Sequence, residues 1–147
     1  MAETLGLLCD KLTIVKLKQF HSDDIDRLKS LVSQEQQLKT EIDNFVTSAI
    51  SGDIPVDRLT FATNKVFKQE GNFVADVQGG IGQVFAKLAE VNCTLWHEQE
   101  KVYDFESVPL EEKNMVVKQL ALLNLERNKC IDGIDRQFRN LVETKLS

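Results

Sequence analysis

Apolar residues return every three or four positions along most of this chain, and only Pro55 and Pro109 are prolines. An α-helix turns about 100° per residue, so that spacing gathers the apolar side chains on one face. A strand would need apolar and polar residues in alternation, and no β-branched run of period two occurs. The expected fold class is therefore all-α: a four- or five-helix bundle built from two related helical hairpins. At 147 residues the chain has the size of one domain, and residues 1–147 are read as a single helical domain.

The first helix is expected from about Thr4 to His21. Leu5, Leu8, Leu12 and Val15 form one stripe, while Leu7, Ile14 and Leu17 lie roughly opposite. A helix apolar on two sides belongs in the middle of a bundle. Ser22-Asp23-Asp24 can cap a second helix, or the first can run on through it. Leu28, Val32, Leu38, Ile42 and Phe45 carry the next stripe to about Ile50, with Gly52 as a left-handed stop. Pro55 then starts a connecting helix over 55–70, ended by Gly71-Asn72. The stretch "QGGIGQ" lacks the G-x-x-x-x-G-K pattern and a preceding strand, so it reads as a helix break rather than a phosphate loop. Long helices follow from about Ile81 to Asp104 and from Pro109 to about Thr144, joined by the loop "FESVPLEEK".

Residues 4–24 align without gaps to residues 80–100. Gly6 meets Gly82, Lys11 meets Lys87, Leu12 meets Leu88 and Val15 meets Val91. The two histidines, His21 and His97, also fall together, each after an aromatic residue and three places before a carboxylate. This predicts a duplicated hairpin, with a pseudo-repeat of 4–50 and 80–144.

Composition removes several function classes. The formal net charge is -5 and no Lys/Arg run stands out, which argues against a nucleic-acid partner. No segment approaches the ~20 apolar residues of a membrane span. Cys9, Cys93 and Cys130 are odd in number and form no C-x-x-C pair, as expected of free thiols in the cytoplasm. No cofactor and no metal are expected.

The last helix carries an anomaly. Val117, Leu120, Ile131, Ile134, Phe138 and Leu141 fall on heptad a and d positions, and Asn124 and Arg127 take the places between them. A buried Arg is costly unless a carboxylate meets it, and a buried Asn needs partners. One reading is a structural network that fixes helix register or a dimer. The other is a pocket for an anion or polar ligand, because Arg grips phosphate or carboxylate with two parallel hydrogen bonds. Glu35, Glu98 and Glu100 are the candidate partners of Arg127. Asn124, Arg127, Asn128 and Trp96 are the candidate ligand-binding residues.

His97 points away from its helix's apolar stripe, beside Glu90, Cys93 and Glu100. That set is compatible with a divalent ion, but the Glu-x-x-His pattern of di-iron bundles is absent. His97 and Glu100 are the candidate catalytic pair, as a general base and the carboxylate that orients it. His21 lies on the second apolar side of the first helix and is expected to be partly buried.

The stretch "LWHEQEKVYD…LLNLERNKCIDGID" resembles a family of small, uncharacterised, all-helical bacterial proteins. Their pattern is Trp-His, a carboxylate, a loop, then Asn-x-x-Arg-[Asn/Asp] and Ile-Asp. Here it falls on Trp96, His97, Glu100, Asn124, Arg127, Asn128, Ile134 and Asp135. Residues 4–17, with "CDKLTIVKLK", look like the start of a second helical family. The resemblance implies a bacterial helical protein and carries no activity. The expected function is a non-enzymatic helical interaction, scaffold or accessory protein that binds a protein partner or forms a homo-oligomer. The alternative is a small enzyme or ligand-binding protein with an anion pocket, for a phosphate- or sugar-phosphate-like ligand, around Arg127 and His97.

Overall fold

The computed structural model describes residues 3–61 and 77–146. Four long helices dominate it: α1 (Leu5–Phe20), α2 (Ile25–Ser51), α3 (Ile81–Tyr103) and α4 (Leu110–Leu146). Among the described residues there is no strand.

Local chemistry sets the helix ends. Thr4 is extended, and its hydroxyl accepts a hydrogen bond from the Leu7 N–H, one of the donors that an opening helix leaves unpaired. Asp24 does the same for the Arg27 N–H at 3.0 Å, so α1 and α2 are separate helices. Gly52 ends α2 at φ 88°, in the left-handed region that glycine enters without strain. Gly79, at φ 104°, turns the chain into α3, and Pro109 opens α4 by accepting from the Glu112 N–H.

α1 packs on α2, α3 and α4, the central place its two apolar stripes predict. The Gly6 N–H bonds Asp135 and Asp10 bonds Arg127, so α1 runs antiparallel to α4. The crossing is close: a Cβ on Gly6 would lie 2.5 Å from the Ile131 carbonyl oxygen. Leu5 and Cys9 of α1 meet Val84, Leu88 and Val91 of α3 and Ile131, Ile134 and Phe138 of α4 in the core.

Several expectations change. The connecting helix over 55–70 begins as a single 3-10 turn, Val56–Arg58, after which the chain is no longer helical at Leu59. Leu59 is buried in the core, and Arg139 holds the Thr60 hydroxyl at 2.7 Å, which draws the chain inward. The rest of that expected helix, with Gly71 and Asn72, lies outside the described residues. On α4 the seam shifts by one position at both ends: Val116 and Val142 are buried, while Val117 and Leu141 are exposed. A straight helix at 3.6 residues per turn drifts against a strict 3.5-residue repeat, by about 20° per heptad. On α2 the same happens at Leu31, which is buried, beside exposed Val32. His21 is exposed rather than partly buried, because it caps the end of α1 beyond the packed turns.

Candidate functional site

Arg127 finds its carboxylate on α1, not on Glu35, Glu98 or Glu100. Its Nε donates to Asp10 Oδ1 at 2.8 Å and its Nη2 to Asp10 Oδ2 at 2.5 Å, a bidentate pair. The Asp10 side chain is 5% exposed and that of Arg127 33%. Asn92 on α3 completes the node: its Nδ2 donates to Asp10 Oδ1 at 2.9 Å and to Thr13 Oγ1 at 2.7 Å. The Thr13 hydroxyl in turn donates to the Asp10 carbonyl. One carboxylate thus ties α1, α3 and α4 together. The hydrogen bonds that Arg127 donates to Asp10 strengthen its hold on its proton against the opposing effect of burial. Asn92 Oδ1 is buried with no partner among the described residues, a cost set against those gains.

A second polar node lies two turns away. Asp135 Oδ1 accepts from the Gly6 N–H at 2.7 Å, satisfying from α4 a donor at the start of α1. Burial pushes the Asp135 carboxyl up to about 6, although the Gly6 N–H and the Thr4 side chain pull it down. Cys9 is pushed up to about 12, by burial first and then by the nearby Asp135 and Asp10 carboxylates. Burial likewise pushes Cys130 up to about 11. Both thiols stay protonated at neutral pH and are poor nucleophiles.

The other candidates disperse. Asn124 Nδ2 donates to the Leu120 carbonyl and Asn128 Nδ2 to the Asn124 carbonyl, so both turn back onto their own helix. Trp96 is half-buried and stacks on His21, with ring centroids 4.7 Å apart and planes 9° from parallel. His97 meets His21 edge-on at 6.2 Å, which brings these two histidines together at one end of α1. His97 and Glu100 are exposed, and no hydrogen bond joins them among the described residues. Glu98 pairs with Lys101, and Glu35 with Lys16 and Lys39. Lys39, Lys16 and Gln19 pull the Glu35 carboxyl down to about 2. Glu90, Cys93, His97 and Glu100 do not gather: among the described residues no three His, Cys, Asp or Glu side chains are grouped to hold a metal ion.

Two clefts open on this framework. One, of about 440 Å³, lies between α1 and α2 with Arg127 of α4 in its wall. The other, of about 330 Å³, lies at the turn from α1 to α2 and includes His21, Arg27 and Trp96. Lys18 lines both, whereas His97 lines neither. Arg127 and His97 therefore do not share a cleft of these two.

A third feature is the far end of the α3–α4 hairpin. α1 ends where His21 meets Trp96 and His97, and α3 continues to Tyr103. Among residues 110–122 of α4 only Val116 is buried. Tyr103 and Leu110 are each 82% exposed, Met115 is 70% and Val117 56%. Phe20 and Ile25, where α1 ends and α2 begins, are exposed as well.

Sequence reasoning missed Asp10, Thr13, Asn92 and the Thr4–Gly6 end of α1. A signal was present for Asp10. It stands three residues after Leu7 and four before Ile14, in line with one of the apolar stripes of α1. No family model, curated protein or solved structure matches this chain.

Proposed function

We propose that this protein is a non-enzymatic helical interaction module that associates with a second copy of itself through the tip of the α3–α4 hairpin. The uncovered apolar side chains Tyr103, Leu110, Met115 and Val117 carry the reading. A helix in a bundle buries a stripe about 100° wide or more, and the start of α4 has only Val116 buried. Two such tips packed about a twofold axis complete a four-helix arrangement, and such an interface is self-complementary. The charged seam supports the same reading, because Arg127 gives Nε and Nη2 to Asp10 and Asn92 donates to the same carboxylate, which ties α1, α3 and α4 into one frame behind the tip. His97 and Glu100 are exposed and share no hydrogen bond among the described residues.

The setting belongs to the same proposal. All three cysteines are free, which supports a reducing cytoplasm. No described helix is long and apolar enough to cross a membrane. The likeness at Trp96–Asp135 supports a bacterial origin. The gapless match of 4–24 to 80–100 supports descent of α1–α2 and α3–α4 from one hairpin, and superposing the two pairs checks it.

Sedimentation equilibrium tests the association. The wild-type protein is expected to be a dimer, and the double substitution Leu110→Glu with Met115→Glu a monomer of unchanged helicity. A wild type that stays monomeric at every attainable concentration would overturn the reading.

A further inference from the structure

We infer that the cleft between α1 and α2 binds a small phosphorylated molecule, gripped by Lys18 and Arg127. This stands apart from the tip and from self-association. Its walls carry three cations, Lys11, Lys18 and Arg127, against two carboxylates, Asp10 and Glu41. Glu3 offsets Lys11 and Asp10 offsets Arg127, so Lys18 is the cation of this wall that no carboxylate among the described residues holds.

The cations differ in what they have free. Lys11 is bonded to Glu3. Lys18 has no ion-pair partner among the described residues. Arg127 spends Nε and Nη2 on Asp10 and leaves Nη1 without a partner among the described residues. The Asp10 clamp also fixes the guanidinium plane, so binding an anion costs little further ordering of that side chain. A fixed guanidinium and an uncommitted ammonium lining one cleft are donors that phosphate oxygens fit.

The remaining wall says what the phosphate is attached to. Gln34, Gln37 and Glu41 face the cleft from α2, and Ile14, Val15 and Leu38 give it an apolar floor. Amides and a carboxylate serve hydroxyl groups as donors and acceptors, while the floor takes a C–H face. At about 440 Å³ the cleft falls within the range of small-ligand sites and accommodates a phosphate with a compact hydroxylated body.

Calorimetric titration at constant ionic strength tests the inference, with glucose 6-phosphate, inorganic phosphate and glucose as probes. Glucose 6-phosphate is expected to bind tightest, inorganic phosphate more weakly and glucose weakest. Lys18→Met is expected to weaken glucose 6-phosphate about tenfold, the equivalent of one modest charged contact. Its unfolding midpoint without ligand should stay at the wild-type value, since Lys18 holds no ion pair among the described residues. Because Lys18 also borders the second cleft, Arg27→Met places the ligand: unchanged affinity supports the α1–α2 cleft. Glucose 6-phosphate binding no better than glucose would overturn the inference. So would wild-type affinity in Lys18→Met, or a loss in Arg27→Met equal to that in Lys18→Met.

Discussion

Replacing Arg127 by Met strands a carboxylate. Asp10 is 5% exposed at its side chain, and two of the three side-chain hydrogen bonds described for its carboxylate come from Arg127. Breaking a buried pair from one side costs about 3–5 kcal/mol, because the remaining charge is left uncompensated. Arg127 is itself one-third exposed, so water reaches the vacated space and the lower end of that range applies, about 3 kcal/mol. Against a total stability of roughly 5–15 kcal/mol this is a large fraction. In a chain of this length each kcal/mol moves the midpoint by about 2–4 °C, giving a fall of roughly 10 °C. Removing both charges should cost less than removing one, since apolar side chains of similar volume often replace a buried ion pair without loss. Urea unfolding followed by far-ultraviolet circular dichroism at neutral pH measures wild type, Arg127→Met, Asp10→Leu and the double variant as a cycle. The double variant is expected to be more stable than either single variant. A loss below about 1 kcal/mol in Arg127→Met, the level of an exposed pair, would refute the reasoning. A double variant as unstable as the sum of the singles would refute it too.

Two further perturbations read other parts of the frame. The Asp135 carboxyl is held up at about 6 by burial, above the ordinary value near 4. Its contribution to stability is full below about pH 4 and is lost as pH rises through 6, by about 3 kcal/mol in all. Asp135→Asn, which keeps an acceptor for the Gly6 N–H, should flatten the pH dependence of the urea midpoint in that window; an unchanged slope would show that another group sets it. Gly6→Ala drives a methyl group into the Ile131 carbonyl, whereas the matched Gly82 has open space around its α-carbon. The first should lose about 1–3 kcal/mol and the second should be neutral or slightly stabilising in the same unfolding assay.

What could be read in the sequence was local. Asp24 and Gly52 announce helix ends because a cap acts within one turn, and the structure places both at those ends. The two stripes of α1 gave its central place because they belong to a single helix. Arg127 could be seen to occupy an apolar seam, but its partner lies 117 positions away in the chain. Nothing in a spacing of three and four says which carboxylate a fold will bring across such a distance, and Glu35, Glu98 and Glu100 were reasonable on charge alone. Asp10 could have been flagged as a polar residue in an apolar stripe, although its pairing with Arg127 required the crossing of α1 and α4. The one-residue shifts at Val116 and Val142 arise from accumulated helix phase, which a fixed heptad does not carry. The connecting helix expected from Pro55 begins as a 3-10 turn, because proline is common both at helix starts and in turns. The burial of Leu59, a tertiary effect, decided the matter there.

The placement of α1 has a consequence for synthesis. Its two apolar stripes leave the ribosome before the other three helices, and the α4 groups that meet Gly6 and Asp10 are made 129 and 117 residues later. At about 5–20 residues per second, α1 waits on the order of ten seconds for Arg127 and Asp135. Until then only α2, and later α3, can shelter it, and neither supplies the guanidinium that Asp10 needs. Residues of α4 therefore decide when α1 is locked, and a chain stalled before Arg127 would hold Asp10 without its guanidinium against a half-built core.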